Sequence, residues 1–596
     1  MSVSFVALTE QGAVLARSLR SSFPGCRIHG RRERVSEADD WFDDTLTHVR
    51  RLFEDDQPII GICATGILIR ALAPVLKDKT AEPPVVALSE DGASVVPLLG
   101  GHNGANKLAQ QVAELSGGHA ALTTAGDVAF GVALDDPPPI WTYSNGDQAK
   151  DIMAAVLAGE PVKLDVQSGD ANWLSQSALL ISQTAKRVIH VSHKQATSEF
   201  TLHPPVLALG VGCERHTDPD ELINLTEASL NDHGLARGAI ACVCSIDVKM
   251  DEPAVHALAK HLKVPARFFS ADDLERQTPR LQNPSDVVFA EVGCHGVCEG
   301  AALAAVGESG ELIVAKTKSK RATLAIGLAQ GNIDAERCGQ RRGRLSVVGI
   351  GPGKADWRTP AVTNAIVAAS DVVGYKLYLD LLGDLIAGKI HHMSELAEEE
   401  DRVRRALDLA AGGRDVALVC SGDAGIYALA TLVFELIDHN ERDDWNRIVI
   451  EVEPGVSAIQ AAASRIGAPI GHDFCTISLS DLLTPWEQIE RRLNAAAAGD
   501  FVVAFYNPVS KRRRHQLERA RDILLGERPA DTPVMLARNL GREEETVTYL
   551  TLGELTADHA DMLTLVLVGN SQSRLITCGG GSRVYTPRGY ADKPSA

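Results

Sequence analysis

One unit recurs along this chain and limits its fold more than any other feature. A short apolar run enters a glycine-bearing turn, and a segment with helical spacing follows. PIIGICATG leads into ILIRALAPVL, PPVLALGVGCERHTDPDELINLTEASL repeats the pattern, and RLSVVGIGPGKADWRTPAVTNAIVAASDVVGY repeats it again. Each reads as a buried strand feeding a helix, so the expected fold class is α/β in several modules. With 596 residues, the chain exceeds one hydrophobic core, because domains usually hold about 100–200 residues.

The modules can be delimited from local signals. PPVVALSEDGASVVPLLGG gives two short strands about an Asp-Gly turn, and HNGANKLAQQVAEL gives an amphipathic helix, completing an α/β domain over 1–131. DDPPP then breaks the pattern; DIMAAVLAG reads as a short helix and ALLISQTAKRVIHVSHK as strands, a small middle module over 132–204. A third α/β module spans 205–327. LAQGNIDAERCGQRRGR is polar, basic and glycine-punctuated, so 328–343 is expected to be a linker. Strand–helix alternation resumes in a last domain over 344–596, ending in a short strand and a frayed tail.

Charge removes several function classes. Lys and Arg total 59 against 78 Asp and Glu, a net charge of -19, which excludes broad nucleic-acid binding; an anionic ligand must find a local basic patch. Eleven scattered cysteines, an odd number, make no disulfide framework. The opening MSVSFVALTEQGAVLARSLR lacks a basic start before a long apolar run, and no stretch of about 18 apolar residues follows anywhere. The expectation is a cytoplasmic protein with no membrane and no nucleic-acid partner.

Gly349-Ile350-Gly351-Pro352-Gly353 after the strand LSVV invites a dinucleotide reading, but Pro352 removes an N–H and Lys354-Ala355 stand where a third glycine belongs. Taken alone it is a tight turn. Four further motifs follow it: Gly374-Tyr375-Lys376-Leu377-Tyr378, Ser421-Gly422-Asp423-Ala424-Gly425-Ile426-Tyr427, Glu453-Pro454-Gly455-Val456-Ser457-Ala458, and Phe505-Tyr506-Asn507-Pro508. Asp423 stands in the Ser-Gly-Asp turn that follows the apolar run DVALVC, where a carboxylate either shapes a pocket for a cationic ligand or caps the next helix; the residues leave both open.

In this order the five motifs resemble the tetrapyrrole methylase family, over essentially all of 344–575. VVGYKLYLDLL with SGDAGIYALA is most similar to its precorrin-3B C(17)-methyltransferase branch. The resemblance implies a class III methyltransferase fold of two α/β subdomains, about 345–455 and 456–575, with S-adenosyl-L-methionine in the cleft between them, and a homodimer. It further implies methylation of precorrin-3B at carbon 17 with ring contraction to precorrin-4, within cobalamin biosynthesis. Cofactor contacts would come from Gly351 and Pro352, from Gly422, Asp423, Ala424, Ile426 and Tyr427, from Pro454, Gly455, Ser457 and Ala458, and from Tyr506 and Asn507. Tyr375 and Ser421 are the candidates for handling a proton. A precorrin or cobalt-precorrin is fringed by carboxylates, which calls for Arg or Lys. Lys511, Arg512, Arg513 and Arg514 follow FYNPVS, and Lys376 and Arg538 join them as candidates; a solvated helix face is the plainer reading of the run.

In the first half, Gly100-Gly101-His102-Asn103-Gly104 lies between a strand and a helix, and His102 is its titratable group. With Gly61-Ile62-Cys63-Ala64-Thr65-Gly66 this resembles the CbiG family, cobalt-precorrin-5A hydrolases that open a ring lactone and release acetaldehyde. Gly210-Val211-Gly212-Cys213, Ser245-Ile246-Asp247 and VGCHGVCEGAALAAV extend the likeness to CobE and the CbiG carboxy-terminal domain. His102 is accordingly a candidate catalytic residue, although the half can equally bind and hand over a tetrapyrrole beside a methylase acting at another ring carbon. Cys294, His295 and Cys298, with Cys242 and Cys244, match no established zinc spacing, so no metal is expected.

Overall fold

The computed structural model describes residues 3–588 apart from 24, 78–81, 124–129, 131, 396–397, 440–441 and 511–512; of Ser21 and His102 it describes the backbone only. The chain divides into two units, 1–342 and 343–596. No single helix among the described residues is long and apolar enough to cross a membrane.

Unit 1 holds three sheets. The first runs Asp40–Phe42, Arg27–Arg31, Ser4–Ala7, Ile59–Ile62, Val85–Leu88, Ser94–Leu99, His119–Ala120, and its first five strands are parallel. Alternation of side chains along Ser4–Ala7 sends Phe5 to one core and Val6 to the other, so the sheet is covered on both faces. A four-stranded sheet, Thr142–Ser144, Thr201–His203, Arg187–Val191, Val162–Val166, makes the middle module. The third sheet runs Ala266–Phe269, Ile240–Ile246, Leu207–Cys213, Ala322–Leu328, Glu311–Lys318. Here the helix Val297–Val306 packs so closely on Leu207–Cys213 that a Cβ at Gly210 would lie 1.8 Å from the Cys298 carbonyl oxygen. The Gly-Val-Gly motif of this module thus serves helix–strand packing.

Residues 328–343 do not form a free linker. Ile333 and Ala335 are buried with Cys242, Cys244 and Phe269, and Gln340 exchanges backbone hydrogen bonds of 2.7 and 2.8 Å with Phe268. Pairing through backbone groups needs no apolar period, which is why a polar sequence can lie along a sheet edge.

Unit 2 contains two five-stranded sheets. The first, all parallel, runs Ile390–Ser394, Asp371–Tyr375, Asp415–Cys420, Arg344–Gly349, Val449–Glu453. The second runs Phe474–Ser478, Val502–Tyr506, Thr564–Val568, Pro533–Arg538, Thr546–Thr551, with only its first pair parallel. Helices begin where the sequence caps them: Thr359 accepts from the Val362 N–H ahead of Pro360–Ala368, and Ser457 with Gln460 forms a capping box for Ala458–Ile466. The carboxy-terminal end corrects one expectation. Instead of a single strand, Arg574–Cys578 and Gly581–Tyr585 form a hairpin, and Val584 is buried where it pairs with Gly467. The second subdomain therefore extends past residue 575.

Candidate active site

Three adjacent parallel strands of unit 2, Asp415–Cys420, Arg344–Gly349 and Val449–Glu453, end on the same edge of their sheet and deliver three turns side by side. The turns are locked together by backbone. Gly351 and Gly422 exchange N–H···O bonds of 2.9 and 3.1 Å. A Cβ on Gly455 would lie 2.1 Å from the Gly422 oxygen and 2.3 Å from the Gly349 oxygen, so only glycine lets the turns approach this closely.

Asp423 fastens two of these turns. One carboxylate oxygen accepts from the Gly425 N–H at 2.8 Å and the other from the Gly455 N–H at 3.2 Å. The following helix starts only at Leu429, so Asp423 is a clasp between loops and not that helix's N-cap. Ala424 is buried, whereas Ile426 and Tyr427 emerge, 36% and 51% exposed. Tyr427 adopts φ 51°, a conformation that bulky side chains avoid, and its hydroxyl donates to the Thr476 carbonyl at 3.0 Å. Its ring lies 5.1 Å from that of Tyr506, whose hydroxyl accepts from the Ile459 N–H at 3.2 Å. Burial pushes the Tyr506 phenol above its ordinary range. Asn507, also at positive φ, donates to Ser478 Oγ at 3.2 Å. Pro454 accepts a 3.4 Å bond from the Thr359 hydroxyl, while Ser457 is engaged as the helix cap.

The second subdomain reaches this edge through Arg542, which the motifs did not single out. Its Nε donates to the Pro352 carbonyl at 2.9 Å and its Nη2 to Ser421 Oγ at 3.3 Å. Ser421 therefore accepts from a cation and keeps its own proton to donate. Tyr375 lies at the end of Asp371–Tyr375, its ring edge-on to Tyr378 at 5.3 Å. Burial raises the Tyr378 phenol while Arg542 opposes the rise.

The basic candidates divide. Arg513 is 7% exposed and donates to the Asn507 carbonyl at 3.0 Å, with Asp481 at 3.7 Å. It supports the Phe505–Pro508 turn from beneath, so its expected place on a carboxylate-binding face is corrected: burial leaves no route to an outside anion. Arg514 pairs with Asp558, Arg538 with Asp561 at 2.7 Å and Lys376 with Asp380 at 2.7 Å, all partly exposed pairs. Lys511 and Arg512 lie outside the described residues.

In unit 1, the His102 side chain lies outside the described residues. Thr9 and Glu90, which follow the two strands that flank Ile59–Ile62 in the first sheet, share a 2.7 Å hydrogen bond, and burial raises the nearby Cys63 thiol to about 11. His295 is held by Glu275 at 2.9 Å, and it does not gather Cys294 and Cys298 into a ligand set.

Comparison with known proteins follows this division. The family described as Tetrapyrrole (Corrin/Porphyrin) Methylases matches residues 344–556, Cobalamin synthesis G C-terminus matches 207–327 and Cobalamin synthesis G N-terminal matches 47–127. A precorrin-3B C(17)-methyltransferase of Sinorhizobium sp is 46% identical over 250 residues, 42% of this chain and 98% of that protein. A probable cobalt-factor III C(17)-methyltransferase of Salmonella typhimurium is 44% identical over 246 residues, 41% of this chain and 99% of that protein. The crystal structure of the methyltransferase CobJ shares 43% identity over 41% of this chain and 100% of its own, with a TM-score of 0.39.

Proposed function

This chain belongs to the tetrapyrrole (corrin/porphyrin) methylases, and on that premise we propose that unit 2 transfers a methyl group from S-adenosyl-L-methionine to carbon 17 of a precorrin-3B-type macrocycle in cobalamin biosynthesis, with ring contraction. The observation that carries the reading is the three-turn cluster clasped by Asp423, beside the exposed Ile426 and Tyr427. Its chemistry suits the methyl donor. A fixed carboxylate favours a cation, turn backbone offers hydrogen-bonding groups, and the aliphatic and aromatic side chains suit an adenine face. When bound, S-adenosyl-L-methionine supplies an electrophilic methyl on a positively charged sulfur.

The chain's own part is positioning, which can supply a large share of a displacement rate. Gly351, Pro352, Gly422, Ala424, Gly455 and Ala458 give a rigid floor, and Asp423 keeps it in register. Tyr506 and Asn507 hold the opposing side from the second subdomain. Ser421, fixed by Arg542, donates a hydrogen bond to an oxygen of the acceptor and so assists release of a hydroxyl proton or polarises a lactone. Lys376, Arg514 and Arg538 meet the acceptor's carboxylates by exchanging partners, because exposed ion pairs are worth only about 0–1 kcal/mol.

Residues 1–342 are proposed to act on the lactone of a related macrocycle, as the two cobalamin synthesis G matches suggest. Acetaldehyde release from cobalt-precorrin-5A supports hydrolysis; tetrapyrrole binding without acetaldehyde reduces the role to handover. For unit 2 the test is incubation with methyl-labelled S-adenosyl-L-methionine and, in separate arms, precorrin-3B and cobalt-factor III. Label entering the macrocycle in either arm supports the reading and identifies the metallation state. Label in neither contradicts it.

A further inference from the structure

Cys242 and Cys244 stand two residues apart on Ile240–Ile246, so their side chains share one face, and their sulfurs lie 3.4 Å apart. Cys338 arrives from the polar segment that Gln340 pins to the neighbouring strand through Phe268. The three sulfurs all lie within 4.8 Å of one another. Thiolates bound to zinc at about 2.3 Å stand about 3.8 Å apart, so this trio needs only side-chain adjustment to share one ion.

A second observation points the same way. Arg267, opposite Cys244 in the strand register, is only 3% exposed, and its Nε has no hydrogen-bond partner. Glu336, from the same segment as Cys338, takes its Nη2 at 2.6 Å. Glu336 answers the charge of Arg267, but the buried Nε–H is left without an acceptor, which a neighbouring thiolate supplies better than a neutral thiol.

We propose that Cys242, Cys244 and Cys338 form a thiolate site for a soft divalent cation of the zinc class, which clasps the segment 333–340 onto the third sheet of unit 1. Thiolate ligands select such ions over magnesium or calcium. Binding displaces the thiol protons to solvent, and no redox change is involved.

The test uses the reduced, chelator-stripped full chain titrated with Cd²⁺. The expected result is a sulfur-to-cadmium charge-transfer band that saturates at one equivalent, a higher melting temperature with Zn²⁺, and protection of Cys338 from alkylation. Cys338→Ser should weaken Cd²⁺ uptake at least tenfold, whereas Cys578→Ser, an exposed cysteine of unit 2, should leave it unchanged. Matching melting curves of wild type and Cys338→Ser in chelator establish that the variant is folded; if it is not, alkylation protection in the wild type decides. Absence of stoichiometric uptake, uptake unaltered in Cys338→Ser, or a disulfide that restores no metal binding after reduction overturns the proposal.

Discussion

Among single residues, Asp423 does most to tie the turns of the site together. Its two oxygens answer N–H groups from two different turns, so its charge and its geometry act together. Asp423→Asn keeps the size but must turn an amide NH₂ toward one of those N–H groups. We expect a loss of about 1–3 kcal/mol of stability and at least tenfold weaker S-adenosyl-L-methionine binding by calorimetry. Unchanged affinity with lowered stability would make Asp423 purely a clasp. Its position was legible because a Ser-Gly-Asp turn directly after an apolar run is a local signal. Arg542 was not, since its bond to Pro352 spans 190 positions and no spacing rule links them. Cys338 was hidden for the same reason, and the attention that Cys294, His295 and Cys298 drew in the sequence came from their closeness to one another along the chain.

Among the elements, the basic run and the inter-subdomain contact make separable predictions. Arg513→Ala should destabilise unit 2 by more than 2 kcal/mol, about the cost of leaving buried hydrogen-bonding groups unanswered, read from the urea midpoint. Arg514→Ala, by contrast, should change stability by less than about 1 kcal/mol while raising the acceptor KM. Arg542→Ala should lower kcat/KM about 100-fold, roughly 2.7 kcal/mol, with circular dichroism intact. In the parallel sheet, Asp371 is fully buried and bonded to His392 at 2.8 Å and Arg414 at 2.6 Å. Burial would raise its carboxyl, yet His392, Ser370 and Arg414 together hold it below the usual range. A depressed carboxyl stabilises the fold fully above its unfolded value, about 3.9, and loses that contribution as pH falls through the lower folded value. Melting temperature should therefore drop as pH is taken below about 4, and Asp371→Asn, costing about 3 kcal/mol at neutral pH, should flatten that slope.

At the scale of the whole molecule, strand–glycine–helix recurrence made the α/β class legible, because buried strands and capped helices are written locally. The division into units was harder to read at its edges. The polar run before residue 343 gives no hydrophobic signal, yet it is tied to Phe268 and the core around Cys242. A fragment for testing unit 2 alone should consequently begin at Gly343, not within that run, and it should fold with a cooperative melt. Leu482 and Leu483 are 85% and 94% exposed, an apolar pair suited to a contact between two copies of unit 2. Leu483→Asp should shift a dimer toward monomer in sedimentation; a monomeric wild type would remove that role. Carbon-13 NMR of the product formed from methyl-labelled S-adenosyl-L-methionine decides whether unit 2 methylates one ring carbon. A single enriched methyl on carbon 17 of a contracted ring is expected; enrichment at any other carbon, or no enriched macrocycle from either precorrin-3B or cobalt-factor III, rules the proposed reaction out.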